Sequence, residues 1–471
     1  MTMKTKIYSN PSAPIKKPTL RSPTRALIGA VIAGSVFATG IAVAGENMNR
    51  MDMTSKGHGL LYSGEARAQA GVPDDIADYI WGLQDTLQST REDLHKIPEL
   101  GFETPKTVAY ITENLTKLGF EVKSVGDSGG LMVDIPGEDT SFTIGVRGDF
   151  DGLPFTEVDD GRPYRSTIEG QMHACGHDAH TTIVLGIAKA VADGKFKPPA
   201  NLRLILQPAE EIGQGAQKMV DAGVLKNVDV ILGLHSDPTR EWGRVGLATK
   251  NFSAFATGFT IEIDGLAAHA GMAPNEGKDT VMAGSYLVTQ LQSIVARNLA
   301  PTDVGVVSVS MFNGGSALNQ VADKAVLGGT TRAMSAELDQ HIRGRMQTII
   351  NGASEAFEMP MTLDFVAEAP GVVQNEAMRD VIIKASQDLL GSDNVDITDA
   401  ANMAGEDFSA YTQKIPGYFT WLGIANNKEN INSGLHTVNF DIDPRALVVG
   451  VAAQIQNIKA VQAYHASGGK F

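Results

Sequence analysis

Apolar residues recur at helical spacing through residues 73–94 (Ile76, Ile80, Leu83, Leu87, Leu94), which predicts an amphipathic helix there. A second helix is predicted over 107–118, closed by Gly119. The period then shortens. Residues 121–125 and 130–135 read as short strands, and further strands are predicted at 142–146, 202–206 and 228–234. The run 181–192 predicts a helix between two of them, the strand–helix–strand unit of an α/β sheet. Three strands run straight into polar residues: 142–146 into RGDFDGLPF, 202–206 into QPAEE, and 228–234 into His235. Ligands of open α/β sheets collect beyond the carboxyl ends of the strands.

The pattern changes near Thr249. Residues 256–263 alternate as a strand does, 279–297 read as a helix, and 305–311 and 325–334 as strands. A long helix at 335–357 and a strand at 361–366 follow. This β-α-β-β-α-β order is that of a ferredoxin-like unit of about 115 residues. It reads as an insertion, because the first kind of pattern resumes with helix 376–390, strand 418–422 and helix 445–464. The expected organisation is a catalytic domain from 72–248 and 367–471, interrupted by an inserted domain at 249–366.

At 471 residues the chain exceeds one ordinary core, which also argues for two domains. Residues 1–44 hold six Lys or Arg and no acid, so removing them takes the formal charge from −15 to −21. So acidic a body argues against nucleic acid or an anionic membrane surface as partner. The basic lead, the apolar run 26–44 and the small residues Ala42-Val43-Ala44 read as an export signal cut after Ala44, which places the protein in the periplasm or outside the cell. The alternative is an uncleaved anchor, since the run is long enough to span a bilayer. Its many Gly and Ala make it a poor stop. Residues 45–71 are polar and unpatterned, as a flexible linker would be. The single Cys permits no internal disulfide.

That Cys falls in QMHACGHDAHTTIVL (171–185), beside His173, His177, Asp178 and His180, so three of the ten His and the only Cys cluster there. Thiolate and imidazole are ligands for borderline-soft cations. With Asp149, Asp151, Glu210, Glu211, His235, Glu406, Asp407 and His436 they make a set large enough for one or two metals. Adjacent Glu210 and Glu211 point in different directions on a loop, so one can bind metal while its neighbour acts as a base.

RGDFDGLPF, MHACGHDAHTT, QPAEEIGQGAQKM, GLH, GLAAHAGMAP, GGTTR, AGEDFS and LHTVNFD occur in order. In this the chain resembles the amidohydrolase branch of the aminoacylase/carboxypeptidase-type metallopeptidases, which includes hippurate hydrolase and indole-acetyl-amino-acid hydrolase. The match runs from about residue 94 to about residue 443. The resemblance implies an α/β, di-metal exopeptidase-like catalytic domain with a ferredoxin-like lid or dimerisation insert. It implies two divalent ions, zinc or manganese first and cobalt or nickel as options, held by Cys175, His177, Glu211, His235 and His436. It further implies Glu210 as general base, Asp151 as orienter of a metal-bound imidazole, and His269 as a hydrogen-bond donor reaching the other subunit of a homodimer. Arg332 and Asn319 would grip the substrate's carboxylate. Asp149 and His180 stay open between support, substrate contact and plain structure. Taken alone, His269 would be a surface-loop His and Arg332 an ordinary strand-end Arg. The implied reaction is hydrolysis of the amide of an N-acyl amino acid. A dipeptidase, a deacetylase of a cell-wall precursor and a non-catalytic binder of acyl amino acids are the alternatives. Residues 319–323 lack the family's usual Pro, and 402–405 depart from its small-residue run, which bears on specificity.

Overall fold

The computed structural model describes residues 74–398 and 402–471. The expected export signal and the whole of the expected linker lie outside the described residues. The chain opens with α1 (Asp74–Gly82), α2 (Gln84–His95) and α3 (Pro105–Lys117). The single helix predicted over 73–94 is thus two. Gly82 and a tightened Leu83 N–H to Ile80 O bond break the run before it resumes. Strands β1 (Lys123–Ser124), β2 (Leu131–Ile135) and β3 (Asp139–Asp149) follow, then α4 (His177–Ala192), β4 (Ala200–Gln207), α5 (Gly215–Asp221), β5 (Val230–Glu241) and β6 (Val245–Ala248).

The next stretch holds β7 (Phe255–Asp264), the two-residue β8 (Ala268–His269), α6 (Thr280–Ser293), β9 (Gly305–Gly314), the two-residue β10 (Gln320–Val321), β11 (Lys324–Ala333), α7 (Ala336–Phe357) and β12 (Met361–Ala369). The chain closes with α8 (Glu376–Leu390), β13 (Val395–Thr398), the single turn α9 (Ser409–Thr412), β14 (Gly417–Ala425) and α10 (Arg445–Ala466).

Eight strands form one sheet in the order β1-β2-β4-β3-β5-β14-β6-β13. Its centre, β4-β3-β5-β14, is parallel throughout. Strands buried on both faces read as continuous apolar runs, as 230–234 does. Helix α4 packs between β3 and helices α2 and α10, and its sequence is correspondingly apolar nearly all round. It starts at His177, earlier than the apolar run suggests, so His177, Asp178 and His180 ride on its first turn.

A second, antiparallel sheet has the order β12-β7-β11-β9, with α6 and α7 packed against it around a separate apolar core that includes Phe259, Leu287, Leu327, Ile342 and Ile350. Asp279 and Ser335 cap α6 and α7 by accepting backbone N–H bonds. The ribbon β8-β10 projects from this unit and pairs His269 with Gln320. No helix among the described residues is long and apolar enough to cross a membrane.

Candidate metal centre

The centre lies at the carboxyl ends of the parallel strands. Asp149 ends β3 and stands in register with Gln207 at the end of β4; His235 on β5 stands opposite Trp421 on β14. Gly176 turns the chain into α4 at φ +97°, and a Cβ there would come within 2.5 Å of Ser236 Oγ, so only glycine fits. That turn places Cys175 and His177 side by side. Ala209 and His436 also hold left-handed backbone, at φ 59° and 58°, next to or at the chemistry.

Donor atoms within 4.8 Å of one another form overlapping triads: Cys175 with His177 and His235, Cys175 with Glu211 and His436, and His177 with Glu210 and Glu211. The five residues expected as ligands therefore meet, and Cys175 is common to two triads. Its Sγ stands 3.5 Å from His235 Nε2, and His436 Nε2 stands 3.4 Å from Glu211 Oε2.

Tautomers follow from the outer partners. His177 Nδ1 lies 2.9 Å from the Asp151 carbonyl oxygen, so it donates and leaves Nε2 with a lone pair. Nε2 is buried with no hydrogen-bond partner, and so is Glu211 Oε1. His235 Nδ1 likewise donates to Ser236 O at 2.9 Å, which turns the Nε2 lone pair toward Cys175. Orphaned buried acceptors facing a thiol and carboxylates fit divalent cations, with two positions sharing the thiol.

Asp151 also accepts the backbone N–H groups of Glu210 (3.1 Å) and Glu211 (3.2 Å), fixing the turn that splays those carboxylates. Asp149 is held by Arg147 at 2.7 Å and by His180 Nδ1 at 2.6 Å. His180 Nε2 accepts Ser236 N–H at 2.9 Å, so both its ring nitrogens are engaged inside the protein. Burial pulls His180 down to about 4, and it stays neutral.

Negative charge dominates. Arg147, fully buried, meets Asp149, Glu406 (3.2 Å) and Asp407 (3.1 Å), and its Nε donates to Gln207 Oε1 at 2.8 Å. Burial, then Glu406 and Asp407, lift the Glu210 carboxyl well above the usual range. Burial, with Asp151 nearby, lifts Glu211 to about 7. Burial also raises the Cys175 thiol. Against its own burial, His177 is raised by Asp149 and Cys175.

The remaining expected residues stand apart. His269 is exposed on β8, and its Nδ1 accepts N–H bonds from Gly271 (3.2 Å) and Met272 (3.1 Å), so Nε2 carries the proton and faces outward. Asn319 adjoins it, its carbonyl accepting Ala270 N–H at 2.9 Å. Among the described residues no hydrogen bond or ion pair joins either side chain to the metal centre. Arg332 ends β11; its Nε donates to Met403 O at 2.8 Å and its Nη1 to Thr331 O at 2.8 Å and to Thr330 Oγ1. None of these partners is anionic.

Arg147, Arg91, His95 and Glu157 were not singled out from the sequence, and Asp178 was read there only as part of the Cys/His cluster. The available signal was Arg147 itself, a cation following an apolar strand directly. Asp178 accepts from Arg91 at 2.7 Å and bonds His95 at 2.7 Å, which anchors the first turn of α4 from behind.

Residues 145–459 match the model of peptidase family M20/M25/M40. The chain is 34% identical to an N-acetyl-L-cysteine deacetylase of Bacillus subtilis (strain 168) over 370 residues, covering 78% of this chain and 86% of the relative. It is 33% identical to an IAA-amino acid hydrolase of Arabidopsis thaliana over 384 residues, covering 80% and 84%. Among solved structures it is similar to a dinuclear metal-binding peptidase of the M20 family from Bacillus subtilis, at 28% identity and a TM-score of 0.71, covering 81% of this chain and 99% of the other. On the matched family model and these relatives, the chain belongs to peptidase family M20/M25/M40.

Proposed function

We propose that the protein is a metal-dependent amidohydrolase that cleaves the amide bond of N-acyl amino acids. Two divalent ions would be held by Cys175, His177, Glu211, His235 and His436. The observation that carries this reading is the thiol common to two donor triads, beside a carboxyl of raised affinity for protons. The substrate class draws on the relatives named for N-acetyl-L-cysteine deacetylation and IAA-amino acid hydrolysis. Thiol with imidazole suits zinc, and manganese, cobalt and nickel are the competitors.

Ions at these residues supply Lewis acidity and a water acidified toward neutral pH. Glu210 takes the proton of the attacking water and returns it to the leaving nitrogen, a task that suits a carboxylate of raised pKa. Asp151 holds Glu210, Glu211 and His177 in register through three contacts, so little has to reorganise during reaction. Arg332, half-buried and without an anionic partner, offers its guanidinium to the substrate carboxylate, with Asn319 as the matching amide. His269, its Nε2–H fixed outward, is assigned as a donor to the carbonyl oxygen of a substrate bound to a second copy. The open edge of β9, with exposed Val306, Met311 and Phe312, and the α6 side chains Val281, Met282 and Tyr286 support pairing of two copies through this unit. On composition alone we assign residues 1–44 to export, which the mass of the secreted chain's N-terminus checks.

Four outcomes test the reading. Metal-loaded protein should release amine from N-acyl amino acids and lose this activity on chelation; Glu210→Gln should retain metal by elemental analysis yet lose about 10²–10⁴-fold in kcat. Full turnover by that variant removes Glu210 from the proton transfer. Metal affinity should fall with pH, because Glu211 binds as carboxylate while its metal-free carboxyl is protonated below about 7. Chelator competition should show the fall steepening to about tenfold per unit for each displaced proton; a flat profile from neutral to acid pH would exclude Glu211 as ligand. Inactive His269→Ala mixed with inactive Glu210→Gln should regain activity through subunit exchange, and no recovery with exchange demonstrated would sink the role across subunits.

A further inference from the structure

The metal centre is not the only buried knot of charge. Behind the first turn of α4, Arg91 and His95 from α2 meet Asp178, Glu157 and Asp441, and all but Asp441 are almost wholly buried. Against its own burial and the neighbouring Arg91, hydrogen bonds to Asp178 and Glu157 raise the His95 imidazole. Arg162 joins them, 3.4 Å from Glu157 and 3.7 Å from Asp441. Arg91, His95 and Arg162 thus stand against Asp178, Glu157 and Asp441. Unlike the metal centre, this knot balances its own charge, so its use is geometric.

Arg91 has two arms. Its Nε donates to Asp178 Oδ2 at 2.7 Å, one residue past His177, and its Nη1 donates to Asp441 Oδ1 at 2.8 Å, five residues past His436. Asp178 also takes His95 Nδ1–H at 2.7 Å and Ala179 N–H at 2.9 Å. Asp441 takes Tyr164 O–H at 2.6 Å and Ile442 N–H at 2.9 Å. A planar guanidinium presents its donors in a rigid fork, so the two carboxylates stand at a set separation. The two ends need this unequally. His177 rides on a buried helix. His436 rides on a segment outside any helix or strand, with its side chain 49% exposed. Residues on both sides of His436, Ser433 and Asn439 among them, border a cavity of about 410 Å³. Packing does not fill that side, and the segment is held there by polar contacts: Arg91 and Tyr164 to Asp441, and Arg162 Nη1 to Phe440 O at 3.0 Å.

We infer that Arg91 is a positioning residue for the metal centre: its fork ties the His436 segment to the first turn of α4, and so sets the Cys175–Glu211–His436 position against the Cys175–His177–His235 position. This rests on the amidohydrolase reading above, in which both triads hold ions. Losing an outer contact of a ligand costs about 10–100-fold in metal affinity. Helix α4 keeps His95 and its own packing when the fork is cut, so the loss falls on the position that His436 serves.

The test titrates the metal-stripped full chain with zinc against a chelator. The unaltered chain should take two equivalents, and His436→Ala should lose one of them. Arg91→Lys keeps the charge without the fork. Asp441→Ala removes the second arm at a partly exposed position and leaves Arg91 paired with Asp178, so folding is preserved. Each should weaken the equivalent that His436→Ala loses by about 10–100-fold and spare the other. The double variant should be no weaker than either single one, because both cut the same contact. In both single variants kcat should fall at limiting zinc and recover with excess zinc. Asp134→Ala, which breaks the ion pair of Arg203 with β2, should move neither equivalent. Unchanged affinities in Arg91→Lys and Asp441→Ala, or an equal loss at both equivalents, overturn the positioning role while the amidohydrolase reading stands. Two equivalents bound unaltered by His436→Ala overturn the ligand set of that reading, and the positioning role with it.

Discussion

One buried cation holds the acidic interior together. Arg147 lies with no exposed side-chain surface at the end of β3, against Asp149, Glu406 and Asp407. Desolvating several carboxylates without an internal positive charge would be prohibitive, and removing a single partner from such a cluster costs about 3–5 kcal/mol. Arg147 also ties distant parts of the chain together: β3, Gln207 at the end of β4, and the segment before α9. That segment is held from its other end by Arg332 on β11. The same guanidinium therefore fixes Asp149 behind the donor set and joins the two sheets through one short stretch of backbone.

Arg147 does not neutralise the site. Glu210 and Glu211 remain, and their carboxyls are raised by burial and by neighbouring acids. A protein interior keeps such an excess only where cations complete it. His177 and His235 fit that account, since each has its Nδ1 committed to a carbonyl and its Nε2 free of protein partners or turned toward the thiol. His180 has the opposite arrangement, with both nitrogens satisfied, and so serves as a support for Asp149 and Ser236. Residue type alone does not separate these imidazoles; the outer hydrogen bond does.

This explains what the sequence disclosed. The parallel strands were legible because burial on both faces makes them plain apolar runs, and the helices α8 and α10 because their periodicity is long and uninterrupted. Strands β6 and β13 were not read, being four residues each and defined by pairing rather than by pattern. Ribbon β8-β10 is shorter still. The donor set was legible because thiol, imidazole and paired carboxylates are rare together. Arg147 was overlooked although it stands in a quoted motif, because a strand-end arginine is usually solvated; only its three-dimensional partners give it meaning. Arg91, His95 and Asp178 show the same limit, since 83 residues separate the bonded His95 and Asp178.

The division of labour within the fold follows from exposure. Of the groups proposed to handle protons and metal, His177 sits on the first turn of α4 and His235 on β5, while Cys175, Glu210 and Glu211 sit on turns fixed by Gly176 and by the Asp151 carboxylate. The groups proposed to meet a substrate are less uniformly held: His269 lies on a two-residue strand and His436 on the segment before α10, while Arg332 stands on β11, which is paired on both sides. A buried donor set needs fixed distances, and regular secondary structure with filled outer hydrogen bonds provides them. Recognition needs accessible side chains that vary without disturbing those distances, and loops provide that. His436 belongs to both groups. It is half exposed and on left-handed backbone, yet its N–H is pinned to Ala174 O at 2.8 Å, one residue before Cys175. Through that single bond the position of the segment before α10 is tied to the same turn that positions the thiol.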